Sequence, residues 1–229
     1  MRIAVSADIH GTKFLSMLEE SLSKLMDVDL LLLAGDLVLK NETGHVGLVL
    51  STVRRVYEGS ILACFGNEEY EQSKHEYLRF SEIRWLDDES CRLRFDNREL
   101  AIIGSRGSLD RPTFWQRTHV KGIWKTYAER VKRVERLLET AGDADVTIVL
   151  THYTPTYETL EGEGERYWPE MGCKRMEEVI KRTKPNIWFH GHAHRGTRFE
   201  SRIDETRVLN VSLPARREIV LIDLENIWG

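Results

Sequence analysis

Apolar and polar positions alternate along this chain in blocks. Ile3 to Ala7, Leu30 to Ala34, Ile61 to Phe65 and Val146 to Leu150 are runs of strand length rich in branched residues, and Ile187 to Phe189 is a shorter one. Leu15, Leu18, Leu22 and Leu25 recur at helical spacing and predict an amphipathic helix over 13–27; Val46, Val49, Leu50 and Val53 predict another over about 45–58. Strand, helix, strand alternation of this kind predicts right-handed crossovers and a parallel sheet. The middle of the chain differs. Cys91 to Phe95 and Leu100 to Ile103 flank Asp96-Asn97-Arg98 and predict a hairpin, residues 104–120 read as irregular, and 121–141 carry the helical stripe Val131, Val134, Leu137 and Leu138. The closing runs 197–203, 206–211 and 218–224 read as antiparallel strands. The predicted fold class is α/β, with two facing mixed β-sheets flanked by helices in an α/β/β/α sandwich.

Each strand-like run ends in a short polar signature: Asp8-Ile9-His10, Gly35-Asp36, Gly66-Asn67, Thr151-His152 and Gly191-His192-Ala193-His194. The carboxyl ends of parallel strands form the crevice where ligands bind, so these groups are expected to converge there. Singly each is weak, because a strand-end Asp often caps a helix and Gly-Asn often makes a turn. Their order, placement and number together point to a metal site. Asp8 and His10, two residues apart at a strand end, can face the same side. Asp36 offers a carboxylate able to bridge two cations, Asn67 a neutral oxygen, and His152, His192 and His194 imidazoles. Nitrogen and oxygen donors without thiolates suit manganese, iron or zinc. Two cations about 3.5 to 4 Å apart are a recurrent solution to phosphate ester hydrolysis.

The ordered signatures resemble those of the calcineurin-like metallophosphoesterase family, matching from residue 8 to residue 194. The resemblance implies the metallo-dependent phosphatase fold and two divalent ions, manganese or iron with zinc, with a metal-bridging water or hydroxide as nucleophile. It also implies that Asp8, His10, Asp36 and His194 hold one metal and Asp36, Asn67, His152 and His192 the other, with Asp36, Asn67, Glu68 and His152 taking part in catalysis. The short chain and the stretch Thr151 to Pro155 are similar to small prokaryotic phosphohydrolases and phosphodiesterases. One departure stands out. The family commonly has a histidine after Gly-Asn that protonates the leaving oxygen, whereas this chain has Glu68, and a carboxylate beside two cations is a poor proton donor. Some small phosphodiesterases of the family also lack that histidine, so a phosphodiester is favoured. The alternatives are a phosphomonoesterase or nucleotide phosphatase, and a noncatalytic metal-binding scaffold for protein partners.

Residues 105–127 carry Arg106, Arg111 and Arg117 among Phe114, Trp115, Trp124 and Tyr127, and Arg166-Tyr167-Trp168 repeats that chemistry. Guanidiniums grip phosphate and aromatic faces stack on bases, which makes 105–127 a candidate loop for a small phosphorylated substrate, a nucleotide among them. Packing of the aromatics onto the domain is the competing reading. The balance of 33 basic against 37 acidic residues, net charge -4, argues against an extended nucleic-acid partner. No apolar run approaches the roughly 20 residues of a membrane helix, and the first strand begins at once, leaving no room for a signal peptide. Cysteines at 64, 91 and 173 show no paired spacing, which fits a reducing, cytoplasmic setting. Without a linker or internal repeat, residues 1–229 read as one metallophosphoesterase domain. His190 shares strand parity with His192 and His194 but lies earlier, so a core or supporting role is expected; His45, His75 and His119 have no assigned place.

Overall fold

The run Leu30 to Ala34 is buried at every position, and a strand buried on both faces must be covered on both. The computed structural model, which describes residues 1–95 and 97–226, supplies that cover. Asp96, in the predicted hairpin turn, lies outside the described residues. In chain order the elements are β1 (Arg2–Ser6), α1 (Leu15–Leu22), β2 (Leu30–Ala34), α2 (His45–Arg54), β3 (Ser60–Cys64), α3 (Lys74–Tyr77), β4 (Ile83–Leu86), β5 (Glu89–Phe95), β6 (Arg98–Ser105), α4 (Phe114–His119), α5 (Ile123–Ala141), β7 (Val146–Thr151), α6 (Arg175–Thr183), β8 (Ile187–His190), β9 (Glu200–Ile203), β10 (Thr206–Asn210), α7 (Leu213–Arg216) and β11 (Val220–Asp223).

Two sheets result. The first has the order β11-β1-β2-β3-β4 and the second β5-β6-β7-β8-β10-β9. The central strands of both run parallel, while β11, β5 and β9 add antiparallel edges. Period-two alternation sorts each strand between layers. Ile3, Val5, Leu30, Leu32 and Leu62 meet Ile102, Ile148, Leu150, Ile187 and Phe189 between the sheets. Their neighbours Leu31, Leu33, Ile61 and Ala63 pack against Leu18, Leu22, Val46 and Val49 of α1 and α2. On the far side Ile103, Val149, Trp188 and Val208 pack against Val134, Leu138, Val179 and Ile180 of α5 and α6. This is the α/β/β/α sandwich expected. No helix among the described residues is long and apolar enough to cross a membrane.

The details differ in instructive ways. α1 stops at Leu22, short of 27, because the chain tightens there: Leu25 N–H bonds the Leu22 carbonyl and Ser23 Oγ bonds the Glu20 carbonyl. The segment 104–120 is not wholly irregular, since Thr113 and Gln116 form a reciprocal capping box that starts α4. Of the closing strands only β9 and β10 pair antiparallel with each other; β10 also lies parallel to β8, and β11 crosses to the other sheet beside β1.

Candidate metal centre

Parallel register brings the ends of neighbouring strands level. Ser6 pairs with Leu33, Ala34 with Cys64 and Thr151 with His190, so the residues that follow emerge on one edge. The loops there are laced by backbone bonds from Asp8 N–H to Gly35 O (3.0 Å), His10 N–H to Asp36 O (2.9 Å) and Gly11 N–H to Leu37 O (2.7 Å). The loops after β2 and β3 touch backbone to backbone, and a Cβ on Gly66 would collide with Asp36 Oδ1 and N. Asp8, His10, Asp36 and His192 all have left-handed backbone, with φ of 61°, 51°, 53° and 69°. Such conformations are uncommon outside glycine and persist where the surroundings hold them, often at functional sites.

All seven residues expected from the sequence meet here. Asp8 Oδ1 lies 3.2 Å from His194 Nε2, and His10 Nε2 is 3.2 Å from His194 Nε2 and 3.9 Å from Asp36 Oδ2. On the other side, His152 Nε2 is 3.0 Å from Asn67 Oδ1, 3.1 Å from His192 Nδ1 and 3.4 Å from Asp36 Oδ2. Asp8, His10 and His194 form one group of donor atoms mutually within 4.8 Å, and Asp8, Asp36 and His152 a second. Asp8, His10, Asp36 and His152 are buried, whereas Asn67, His192 and His194 are half-buried. The cluster is therefore closed beneath and open toward solvent.

The donor set fits cations. His152 Nδ1 lies 3.0 Å from the Ala34 carbonyl and must carry the proton to bond it, so Nε2 of the neutral ring is a bare acceptor. Burial keeps that ring neutral, pushing its pKa down to about 4. Nε2 thus faces Asn67 Oδ1 and Asp36 Oδ2, a convergence of acceptors that a shared proton or a cation relieves. Asp8 Oδ1 is buried without a well-formed hydrogen bond. Burial, with the nearby charges of Glu69 and Asp8, drives the Asp36 carboxyl well above its ordinary range. Although burial alone would raise Asp8, the imidazoles of His194, His152 and His10 hold it below the usual carboxylate range. Burial likewise lowers His10 and His192.

One supporting residue was not singled out from the sequence. Glu69 is buried, and its carboxylate accepts backbone N–H groups of Asp36 (2.9 Å), Leu37 (2.7 Å), Val38 (3.3 Å) and Gly66 (2.6 Å). It welds the two loops carrying Asp36 and Asn67. Its sequence signal is an acid two residues after Gly66-Asn67. Glu68, its neighbour, is half-buried: its N–H bonds Asp36 Oδ1 (2.8 Å), and its carboxylate takes the Lys40 N–H (2.5 Å) and the Asn67 amide (3.3 Å).

The three arginines are not equivalent. Arg106 lies against the ligand loops, Nη2 donating to the Glu69 carbonyl (2.8 Å), and its own carbonyl takes the Tyr153 N–H beside His152 (3.0 Å). Arg111 and Arg117 instead reach Glu170 at 3.0 and 3.7 Å, and the Arg166 and Pro112 carbonyls, so they brace the 110–117 segment against 165–170. His190 is buried and bonds Thr159 Oγ1 (2.8 Å), the supporting place expected. His119 is exposed and stacked on Trp115. Tyr153 joins this segment to the site: its ring lies 5.0 Å from that of His192, and its hydroxyl is 3.5 Å from Gln116 Nε2.

The sequence profile of calcineurin-like phosphoesterases matches residues 1–196. Among curated proteins none matches. Solved structures do. Phosphopantetheinyl hydrolase from Mycobacterium tuberculosis superposes with a TM-score of 0.68 at 15% identity, covering 94% of this chain and 90% of that one. A purple acid phosphatase from yellow lupin gives 0.56 at 12% identity, over 94% of this chain and 44% of its own. At these identities the likeness is one of fold.

Replacing Glu69 with Ala strands four buried N–H groups, each worth about 1 to 3 kcal/mol when left unsatisfied. Glu69→Ala is expected to lower the unfolding free energy of the metal-free protein by about 3 kcal/mol or more in urea titrations. A loss under about 1 kcal/mol would mean that water replaces the carboxylate and that the weld is not structural.

Proposed function

The chain belongs to the calcineurin-like phosphoesterase family, metal-dependent hydrolases of phosphate esters, and on that premise we propose that it cleaves phosphodiesters at a dinuclear centre. The observation that carries this reading is the convergence of seven oxygen and nitrogen ligand atoms from both sheets on one edge. Asp8, His10, Asp36 and His194 would hold one cation, and Asp36, Asn67, His152 and His192 the other. Asp36 is suited to the shared position because its Oδ1 is engaged by the Glu68 N–H, leaving Oδ2 for the cluster. Manganese is our choice among the metals this donor set accepts, ahead of iron or zinc. Cations bound there supply Lewis acidity to the phosphoryl oxygens and acidity to the attacking water. The protein's own part is to fix the donors: the Ala34 carbonyl sets the His152 tautomer, and the half-buried edge of Asn67, His192 and His194 leaves the solvent side open to the phosphoryl group.

The diester preference rests on Glu68. Its carboxylate is fixed next to Asn67 by the Lys40 N–H, where the family commonly has an imidazole. A fixed negative charge at the mouth repels a monoester dianion more than a diester monoanion, so the site selects partly by what it rejects. For the substrate's other arm, the candidate surface is the rim built by α4, the start of α5 and the turn at 165–170. Phe114, Trp115, Trp124 and Tyr167 are 71%, 61%, 54% and 46% exposed, and the rim abuts His192 through Tyr153. Exposed aromatic faces beside a site are stacking surfaces, and a nucleobase is the planar group they suit. Arg106 is the arginine we assign to the substrate; Arg111 and Arg117 shape the rim. We read residues 1–229 as one domain, since β11 completes the sheet that β1 begins. Three buried, unpaired cysteines accord with the cytoplasm.

Elemental analysis after manganese loading is expected to find two ions per chain, falling below one in Asp36→Asn, because both positions lose an anionic donor. Phosphodiesterase activity in wild-type protein holding less than one ion would refute the dinuclear reading.

Two substrates of different charge test the role of Glu68. Wild type is expected to favour bis(p-nitrophenyl) phosphate over p-nitrophenyl phosphate in kcat/KM, and Glu68→Gln to narrow that ratio by about tenfold, on the order of 1.4 kcal/mol. An unchanged ratio means that Glu68 does not set the preference.

The rim is tested with leaving groups held constant. For thymidine 5′-(p-nitrophenyl) phosphate, Trp115→Ala and Trp124→Ala together are expected to raise KM roughly tenfold, since stacking on a base is worth about 1 to 3 kcal/mol, while methyl p-nitrophenyl phosphate is unaffected. Equal effects on both esters would assign these rings to structure.

A further inference from the structure

The support behind the His192 to His194 turn comes from beyond residue 196, where the family match ends. Asn210, the last residue of β10, is completely buried. Its Nδ2 donates to the Ala193 carbonyl at 2.9 Å, and its Oδ1 accepts the Ser212 N–H at 3.0 Å. Its backbone is equally engaged, the N–H with Phe199 O (2.9 Å) and the carbonyl with Arg216 Nε (2.8 Å). Ala193 stands between the two imidazoles, and its carbonyl otherwise takes only the weaker Gly196 N–H at 3.2 Å. A Cβ on Gly196 would come within 2.7 Å of Asn210 Nδ2, so the backbone of the turn rests directly on the amide.

The other end of the amide leads to the first sheet. Ser212 forms a bridge with Ala7, and Leu213 N–H donates to the Ala7 carbonyl at 2.9 Å. Ala7 precedes Asp8, whose Oδ2 accepts the His192 N–H at 2.9 Å. The contacts close a ring: Asn210, Ala193, His192, Asp8, Ala7, Ser212 and back to Asn210. A carboxamide has separate donor and acceptor atoms, and here the donor holds the histidine turn of one sheet while the acceptor holds the strand that positions Asp8 in the other.

We propose that Asn210 is a positioning residue of the metal centre, setting the place of His192 and His194 relative to Asp8 through its amide donor. The proposal rests on reading those three residues as metal ligands. Hydrogen-bond partners behind metal ligands commonly change affinity about 10- to 100-fold when removed, and the buried amide, bonded at both its nitrogen and its oxygen, has the geometry for an effect of that size.

The experiment is manganese titration calorimetry on the metal-free chain, with thermal unfolding of the same samples. Asn210→Asp keeps the size and the acceptor for Ser212 N–H but turns an oxygen toward the Ala193 carbonyl. Its Kd for manganese is expected to weaken by about 10- to 100-fold. If Asn210 served only to hold Ser212, Asn210→Asp would bind manganese as tightly as wild type, and the proposal falls. Asn210→Ser, uncharged and too short to span both partners, is read beside it in case the buried carboxylate prevents folding; wild-type affinity in folded Asn210→Ser also overturns the proposal. A double-mutant cycle adds a readout that general destabilisation does not move. Asn210→Ser and His194→Ala are expected to be strongly non-additive in manganese affinity, because both act through one turn, and additivity contradicts that. Wild-type protein that fails to bind manganese defeats the ligand reading itself, an outcome distinct from wild type and variants that bind alike.

Discussion

The structure turns on the crowding of like charges at one buried edge. Asp8, Asp36 and Glu69 are all almost wholly withdrawn from solvent, and the charges of Glu69 and Asp8 both press on Asp36. A buried carboxylate is tolerated only when hydrogen-bonded or opposed by positive charge. The three are handled differently. Glu69 spends its capacity on four backbone N–H groups, Asp8 faces imidazoles and takes one N–H, and Asp36 keeps one oxygen turned into the cluster. The uncompensated remainder lies where the histidine nitrogens also converge.

Holding that arrangement requires a backbone that the chain would not adopt freely. Left-handed conformations at Asp8, His10, Asp36 and His192 each work against folding, and the sandwich outweighs them. The ligand loops are bonded to one another, welded by Glu69 and backed by Asn210, while the strands beneath are fixed by a core shared between two sheets. Rigid elements below and strained loops above are what a preorganised site needs.

Much of this was legible in the sequence because the relevant signals are local. An apolar run followed by Gly-Asp or Gly-His-Ala-His announces both a strand and what its end carries, so all seven convergent residues were found by position alone. The remainder depends on partners distant in the chain. Arg111 and Arg117 look like anion ligands until Glu170 is placed beside them. Asn210 is an ordinary strand-end amide until Ala193 is seen above it. β4 is only four residues long, too short for a clear period. α6 carries Met176, Val179 and Ile180 at helical spacing, a stripe whose meaning rests on the sheet face it covers.

The rim and the ligand set occupy separate stretches of chain. Every convergent donor sits within four residues of a strand's end, whereas α4, the start of α5 and the turn at 165–170 contribute none, and α4 reaches the centre through Gln116 and Tyr153. Loops tolerate insertion and exchange far better than the elements they join. Changing α4 or the turn at 165–170, which hold none of the convergent donors, therefore alters the surface beside the centre without replacing a ligand. The scaffold is modular in the sense an engineer would want: the convergent donors belong to the sheet edges, and much of the surface around them belongs to separate parts laid over them.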